Sequence, residues 1–176
     1  ASMDRFKLNS PLPSKETKNF KKAIKCYDQK NYKNGIKYCK QILSNEKCYN
    51  HVDTLSILSL MLHFTGKNEE AIKMIKLSLS YNLKSSVSWH SYGIIHKNNH
   101  CYEESAKCFL LAIKFDQDNT QLLLELGTLQ IHQKDYQNAV ISREKLLKVK
   151  NGQRQLWLAY IVSLQLAKKN TLAITI

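Results

Sequence analysis

The side chains best placed to do chemistry are His96, His100 and Cys101, the two histidines four apart and the cysteine directly following. Imidazole and thiolate are the usual zinc donors, but a structural zinc site closes with four ligands, and no fourth donor is evident. Helix-end and turn histidines, with no metal and no cofactor, are therefore expected. Glu69-Glu70 and Glu103-Glu104 are paired carboxylates. Acid–base catalysis would need a pocket to shift their pKa values; at the exposed start of a helix they complement its dipole instead. His90, beside Trp89, is expected to be packed or hydrogen-bonded. The five glycines are scattered singly, so there is no G-x-G-x-x-G or G-x-x-x-x-G-K-[ST] loop, and no H-E-x-x-H occurs. No catalytic constellation is present, and a non-enzymatic chain is expected.

Charge is the stronger signal. Lys and Arg number 27 against 14 Asp and Glu, for a net +13; residues 1–50 alone hold 12 against 4, or +8. Lys18, Lys21, Lys22 and Lys25 follow i, i+3, i+4, i+7 and share one helix face. The apolar set Phe20, Ala23, Ile24 and Tyr27 lies roughly opposite. Lys33, Lys37 and Lys40 form a second stripe, beside the apolar set Tyr32, Ile36, Cys39 and Leu43; Lys7 and Lys15 precede both. Such an array suits a polyanion, whether nucleic acid, acidic protein or membrane surface. The alternative is a solvated face without a dedicated partner.

The longest nearly apolar run, Leu156 to Ala167, is too short to span a bilayer and contains Gln165. The first thirty residues hold no apolar stretch of the secretory kind. Cys26, Cys39, Cys48, Cys101 and Cys108 are odd in number and lack a C-x-x-C, so reduced thiols and a cytoplasmic location are expected.

These side chains must be positioned by a repeat. Leu55, Trp89, Leu123 and Trp157 are successively 34 residues apart, as are Gly93 and Gly127, and Tyr102 and Tyr136. A 34-residue period with this order of aromatic, small and apolar positions is the tetratricopeptide (TPR) signature. The fold class is an all-α, right-handed α-solenoid of TPR helix pairs. An N-terminal extension (1–15) should precede a solenoid over 16–176, with copies at about 16–49, 52–85, 86–119 and 120–153 and a truncated copy at 154–176. Within each copy the small residues Gly93, Gly127, Ala71 and Ala139 should let the two helices approach closely. Trp89, Tyr102, Phe109, Tyr136 and Trp157 should complete the core between copies. The last copy should turn into its second helix before Ala173. Because apolar side chains would then stand uncapped, the chain reads as the N-terminal fragment of a longer protein.

The inner groove of such a solenoid should be lined by Asp53, Ser56, Leu60; Val87, His90, Ile94; Gln121, Leu124, Thr128; and Gln155, Leu158, Val162. None of these is Lys, Arg or Asn, the types that clamp a C-terminal carboxylate in chaperone-binding TPR domains. The groove suits an apolar or helical segment instead.

A more specific likeness runs through the N-terminal part. Leu12-Pro13-Ser14-Lys15-Glu16, Phe20-Lys21-Lys22, Cys26-Tyr27, the run Gln29 to Gly35 and the run Cys39 to Asn45 resemble the auxiliary subunit of the NatA N-terminal acetyltransferase. The likeness resumes at Leu83-Lys84-Ser85, Trp89-His90 and Tyr92-Gly93, and continues to Gln153-Arg154, Trp157 and Tyr160. Asn151-Gly152 departs from the family, which tends to Arg-Pro there. The resemblance implies a scaffold that holds a GNAT-type catalytic subunit and brings it to nascent chains at the ribosome. Acetyl-CoA would belong to that subunit, whose main interface is expected farther along the parent protein. It also implies a basic ribosome-facing surface, for which Lys15, Lys18, Lys21, Lys22, Lys25, Lys33, Lys37 and Lys40 are the rRNA contact candidates. The alternative is a generic TPR adaptor whose basic surface binds another polyanion.

Overall fold

A computed structural model describes residues 11–150 and 152–174, the side chains of 169–174 excepted. Among the described residues the chain forms nine helices and no strand: α1 (Ser14–Asp28), α2 (Tyr32–Leu43), α3 (Val52–Phe64), α4 (Asn68–Tyr81), α5 (Ser86–Asn98), α6 (Tyr102–Phe115), α7 (Thr120–His132), α8 (Tyr136–Val149) and α9 (Arg154–Ile174). The first eight stack as four helix pairs, α1–α2 through α7–α8.

The repeat is visible in its stop signals. Each pair turns over through a residue in the left-handed region: Lys30 (φ 57°), Gly66 (φ 84°), His100 (φ 61°) and Lys134 (φ 60°). Around each, two bonds recapture the orphan carbonyls of the first helix. At His100, the Cys101 N–H donates to His96 O at 2.9 Å and the His100 N–H to Lys97 O at 3.1 Å; the same two bonds recur around Lys30, Gly66 and Lys134. This is the Schellman arrangement, which usually takes glycine because a Cβ is strained there. Only one of the four turns uses it. The start signals repeat as well. His51 Nδ1, Ser85 Oγ and Asn119 Oδ1, one period apart, accept the backbone N–H groups of Thr54, Ser88 and Leu122 at the heads of α3, α5 and α7.

The core runs along the stack. Phe20, Ile42, Ile57, Leu60, Met61, Ile75, Ile95 and Phe109 are fully buried, and every α3 residue from Asp53 to Leu62 is buried. Gly93 lets α5 approach α6: a Cβ there would stand 2.5 Å from Cε1 of Phe109. Ser105 Oγ donates to Gly93 O at 2.8 Å across the same contact.

A polar knot interrupts this core. Ser56 (α3), Ser78 (α4) and Ser88 (α5) are all buried, and their hydroxyls lie 2.9–3.1 Å from one another. Ser56 and Ser78 Oγ also lie 2.9 and 3.0 Å from Val52 O, and Ser88 Oγ lies 2.9 Å from Ser85 Oγ. Burial of hydroxyls is tolerated only with partners of this kind.

Four expectations need correction. Trp89 is only partly buried: its ring lies against the core while Nε1 donates to Leu83 O at 2.8 Å, a bond that ties the ring to the α4–α5 loop. Trp157 is 46% exposed, because α9 packs on α8 and leaves its other side open. Tyr102 and Tyr136 are half-buried, whereas Phe109, Gly93 and Gly127 are buried. Finally, α9 runs unbroken through Ala173. Lys168, one period after Lys134, is helical instead of left-handed. No glycine or proline follows Gly152, and Ala167-Lys168-Lys169 favours helix continuation.

Candidate nucleic-acid interface and interior groove

The α1–α2 pair gathers the lysines. α1 buries Phe20, Ala23 and Ile24, which leaves Lys18, Lys21, Lys22 and Lys25 exposed on the other side. α2 buries Gly35, Cys39 and Ile42 and exposes Lys33, Lys37 and Lys40; Lys15 is exposed in the first turn of α1. Lys22 Nζ sits 5.5 Å from the centre of the Tyr38 ring on α2, a cation–π contact that joins the two stripes. The one acid near the head of α1 is turned away. Glu16 is buried, and Asn45 Nδ2 donates to its Oε1 at 2.8 Å. That bond, aided by the backbone, holds the Glu16 carboxyl below the usual carboxylate range. Lys7 lies outside the described residues.

The three candidate metal donors are not brought together. The His96 ring packs on Tyr92 at 4.3 Å, and burial pushes its pKa down. His100 Nδ1 lies 2.9 Å from the Tyr102 hydroxyl, and Cys101 Sγ is directed to Asn99 O at 3.6 Å. Among the described residues no group of three or more His, Cys, Asp or Glu could hold a metal ion. Glu69-Glu70 and Glu103-Glu104 occupy the first turns of α4 and α6, where Lys67 and Lys107 pair with Glu70 and Glu104 at 3.3 and 2.7 Å.

The groove differs from the sequence expectation. Asp53, Ser56, Leu60, Val87, His90 and Ile94 are buried, because α3 and α5 pack directly on each other and close the groove along that stretch. It opens at α7, where Leu124 is 44% exposed, and along α9, where Leu158 and Val162 are 51% and 53% exposed. A cavity of about 330 Å³ lies there, lined by Lys97, Tyr102, Leu124, Glu125, Thr128, Leu129 and His132. Glu125 organises its wall. Gln121 Nε2 donates to Oε1 at 2.8 Å, and His90 Nε2 and Lys97 Nζ each lie 3.5 Å from the carboxylate. Sequence reading missed this cluster: His90 and Lys97 on α5 meet Glu125 from a different repeat, and only the i, i+4 spacing of Gln121 and Glu125 marks it.

Stacked helix pairs with recurrent caps and left-handed turns define a TPR-type solenoid. A chain of the solved structure of Pseudomonas aeruginosa PilF superposes with a TM-score of 0.73 at 15% identity over 88% of this chain and 69% of its own, which speaks to the fold alone. A chain of the solved Naa15/Naa10 complex bound to HypK-THB superposes with a TM-score of 0.79 and 35% identity, over 88% of this chain and 23% of that one. In sequence, the chain is 41% identical over 166 residues to human N-alpha-acetyltransferase 16, NatA auxiliary subunit, covering 94% of this chain and 19% of the relative. No protein-family model matches. The chain is thus a homologue of the NatA auxiliary subunits over nearly all of its own length, and spans about a fifth of theirs.

Proposed function

We propose that this chain is part of a non-catalytic TPR scaffold of a NatA-type N-terminal acetyltransferase. In this reading the scaffold anchors the catalytic subunit mainly through regions beyond this chain, and meets the ribosome with the lysine face of α1 and α2, in the cytoplasm. The carrying observation is that face, in a chain 41% identical to a NatA auxiliary subunit. The solved Naa15/Naa10 complex supports a catalytic partner. Among the described residues no helix is long and apolar enough to cross a membrane.

Lysines spaced along a helix face meet phosphates without reading sequence, and each contact releases condensed counterions. With about four contacts, log K against log salt should fall with a slope of about −3 for single-stranded and nearer −4 for duplex RNA. Ribosome co-sedimentation across a salt series tests this. Changing Lys18, Lys21, Lys22 and Lys25 together to Glu should weaken binding and flatten the slope while circular dichroism stays native, because these side chains face away from Phe20 and Ala23. A folded variant with unchanged affinity and slope leaves the face merely solvated.

A further inference from the structure

An aromatic cluster at the edge of the first two helix pairs has no part in the phosphate reading. Tyr27 at the end of α1, Tyr32 at the start of α2 and Phe64 at the end of α3 meet there. The Tyr32 and Phe64 rings are nearly parallel, 17° apart with centroids at 5.2 Å, and Tyr27 leans on both at 6.1 and 6.2 Å. Phe64 is nevertheless 40% exposed, and both tyrosines are partly so. The same two turns carry Lys30, Lys33 and Lys67, all exposed. The same turns also carry exposed Asp28, Glu69 and Glu70, and Glu70 is bound to Lys67 at 3.3 Å; the net positive charge comes from the lysines Lys18 to Lys40, which continue along the same helix pair.

We propose that this three-ring cluster is a stacking platform for an unpaired base of RNA, with Lys30 and Lys33 receiving the flanking phosphates. The inference rests on the RNA-contact reading above and sharpens it, from any polyanion to RNA with unstacked nucleotides. The chemistry follows from the two kinds of surface side by side. Lysines hold a backbone of either strandedness, but an aromatic face gains only from a base that is free to leave its helix. A duplex offers this cluster phosphates alone. An apolar protein segment would also cover Phe64, but the lysine face of α1 and α2 that adjoins the cluster complements a phosphate chain instead.

The test compares two RNA probes with equal phosphate counts, a hairpin with an unpaired loop and a blunt duplex, by fluorescence anisotropy on the 176-residue chain. The chain should prefer the loop. Phe64→Leu should weaken loop binding about tenfold, equivalent to 1.4 kcal/mol and within the range for one stacked base. Duplex binding and the salt slope should not change. Phe64→Trp should retain the preference, and its added fluorescence should be quenched by the loop probe but not by the duplex. That second readout decides the matter if Phe64→Leu is poorly folded. Equal affinity for loop and duplex, full loop affinity in Phe64→Leu, or an unquenched Phe64→Trp overturns the platform while RNA contact by the lysines stands. A chain that binds neither probe removes the RNA-contact reading, and the platform with it.

Discussion

Gly93 and Gly127 occupy the same place in successive repeats, yet alanine should act oppositely at the two. Both are helical, so each substitution gains about 1 kcal/mol of helix propensity. The difference lies in what the new methyl meets. At Gly93 it would stand 2.5 and 2.6 Å from Cε1 and Cδ1 of Phe109, closer than atoms in contact can approach. Phe109 cannot yield easily: it is fully buried, its ring meets His90 edge-on at 5.7 Å, and Lys97 Nζ lies 5.9 Å above it. Forced repacking of this kind costs about 1–3 kcal/mol. At Gly127 the nearest atoms are Arg143 Cγ at 3.3 Å and Nε at 3.6 Å, on a long, half-buried side chain that can shift by tenths of an ångström. Propensity is common to both, so Gly93→Ala should be less stable than Gly127→Ala by about 1–3 kcal/mol, with Gly127→Ala at or slightly above the parent. Urea unfolding followed by circular dichroism measures this, with hydrogen exchange in α5 and α7 to place the effect locally. If the two variants are equally stable, or Gly127→Ala is the weaker, the close-approach argument fails.

The turn residues give a second expectation. Lys134→Gly should raise stability by about 1 kcal/mol, since glycine removes the Cβ strain of the left-handed conformation; a loss of stability in urea would show that Lys134 contributes by its side chain instead. His96 should titrate below 6.5 by NMR, burial being the main cause. Below pH 6.5 the unfolded chain then binds more protons than the folded one, so stability is lost as the pH falls from 6.5 to the folded midpoint, and His96→Gln should flatten that part of the curve. Thiol labelling of the native chain should reach exposed Cys101 first and Cys39 last, because burial removes access and raises the Cys39 pKa; early reaction of Cys39 would mean that α2 opens readily.

Much of the scaffold is legible in the sequence because it repeats. The 34-residue spacing of Leu55, Trp89 and Leu123 locates α3, α5 and α7, and the i, i+3, i+4, i+7 lysines place the α1 face without reference to packing. Legibility fails where burial depends on a neighbour and not on repeat position. Trp89 and Trp157 are equivalent by period, but α5 is enclosed by helices on several sides while α9 rests on α8. The groove residues fail likewise: position on a helix says which way Asp53 or His90 points, not that α3 and α5 close over them. The cluster of Glu125, His90 and Lys97 and the rings of Tyr27, Tyr32 and Phe64 join different helix pairs, so no local pattern brings their members together.

The buried hydroxyls of Ser56, Ser78 and Ser88 have a consequence for how the molecule comes apart. A solenoid ordinarily unzips, each pair held to the next by side-chain packing that weakens gradually. Three hydroxyls contributed by α3, α4 and α5 resist this: Ser78 donates to Val52 O across the α3–α4 seam and lies 2.9 Å from Ser88 of α5, so opening either seam takes a partner from a buried hydroxyl, at about 1–3 kcal/mol for any group left unsatisfied. The second helix pair and α5 should therefore open as one cooperative block, with their amides exchanging at a common slow rate while α7 and α8 fray independently. This would give the lysine-bearing α1–α2 pair a rigid foundation and leave the mobile side of the molecule toward α9.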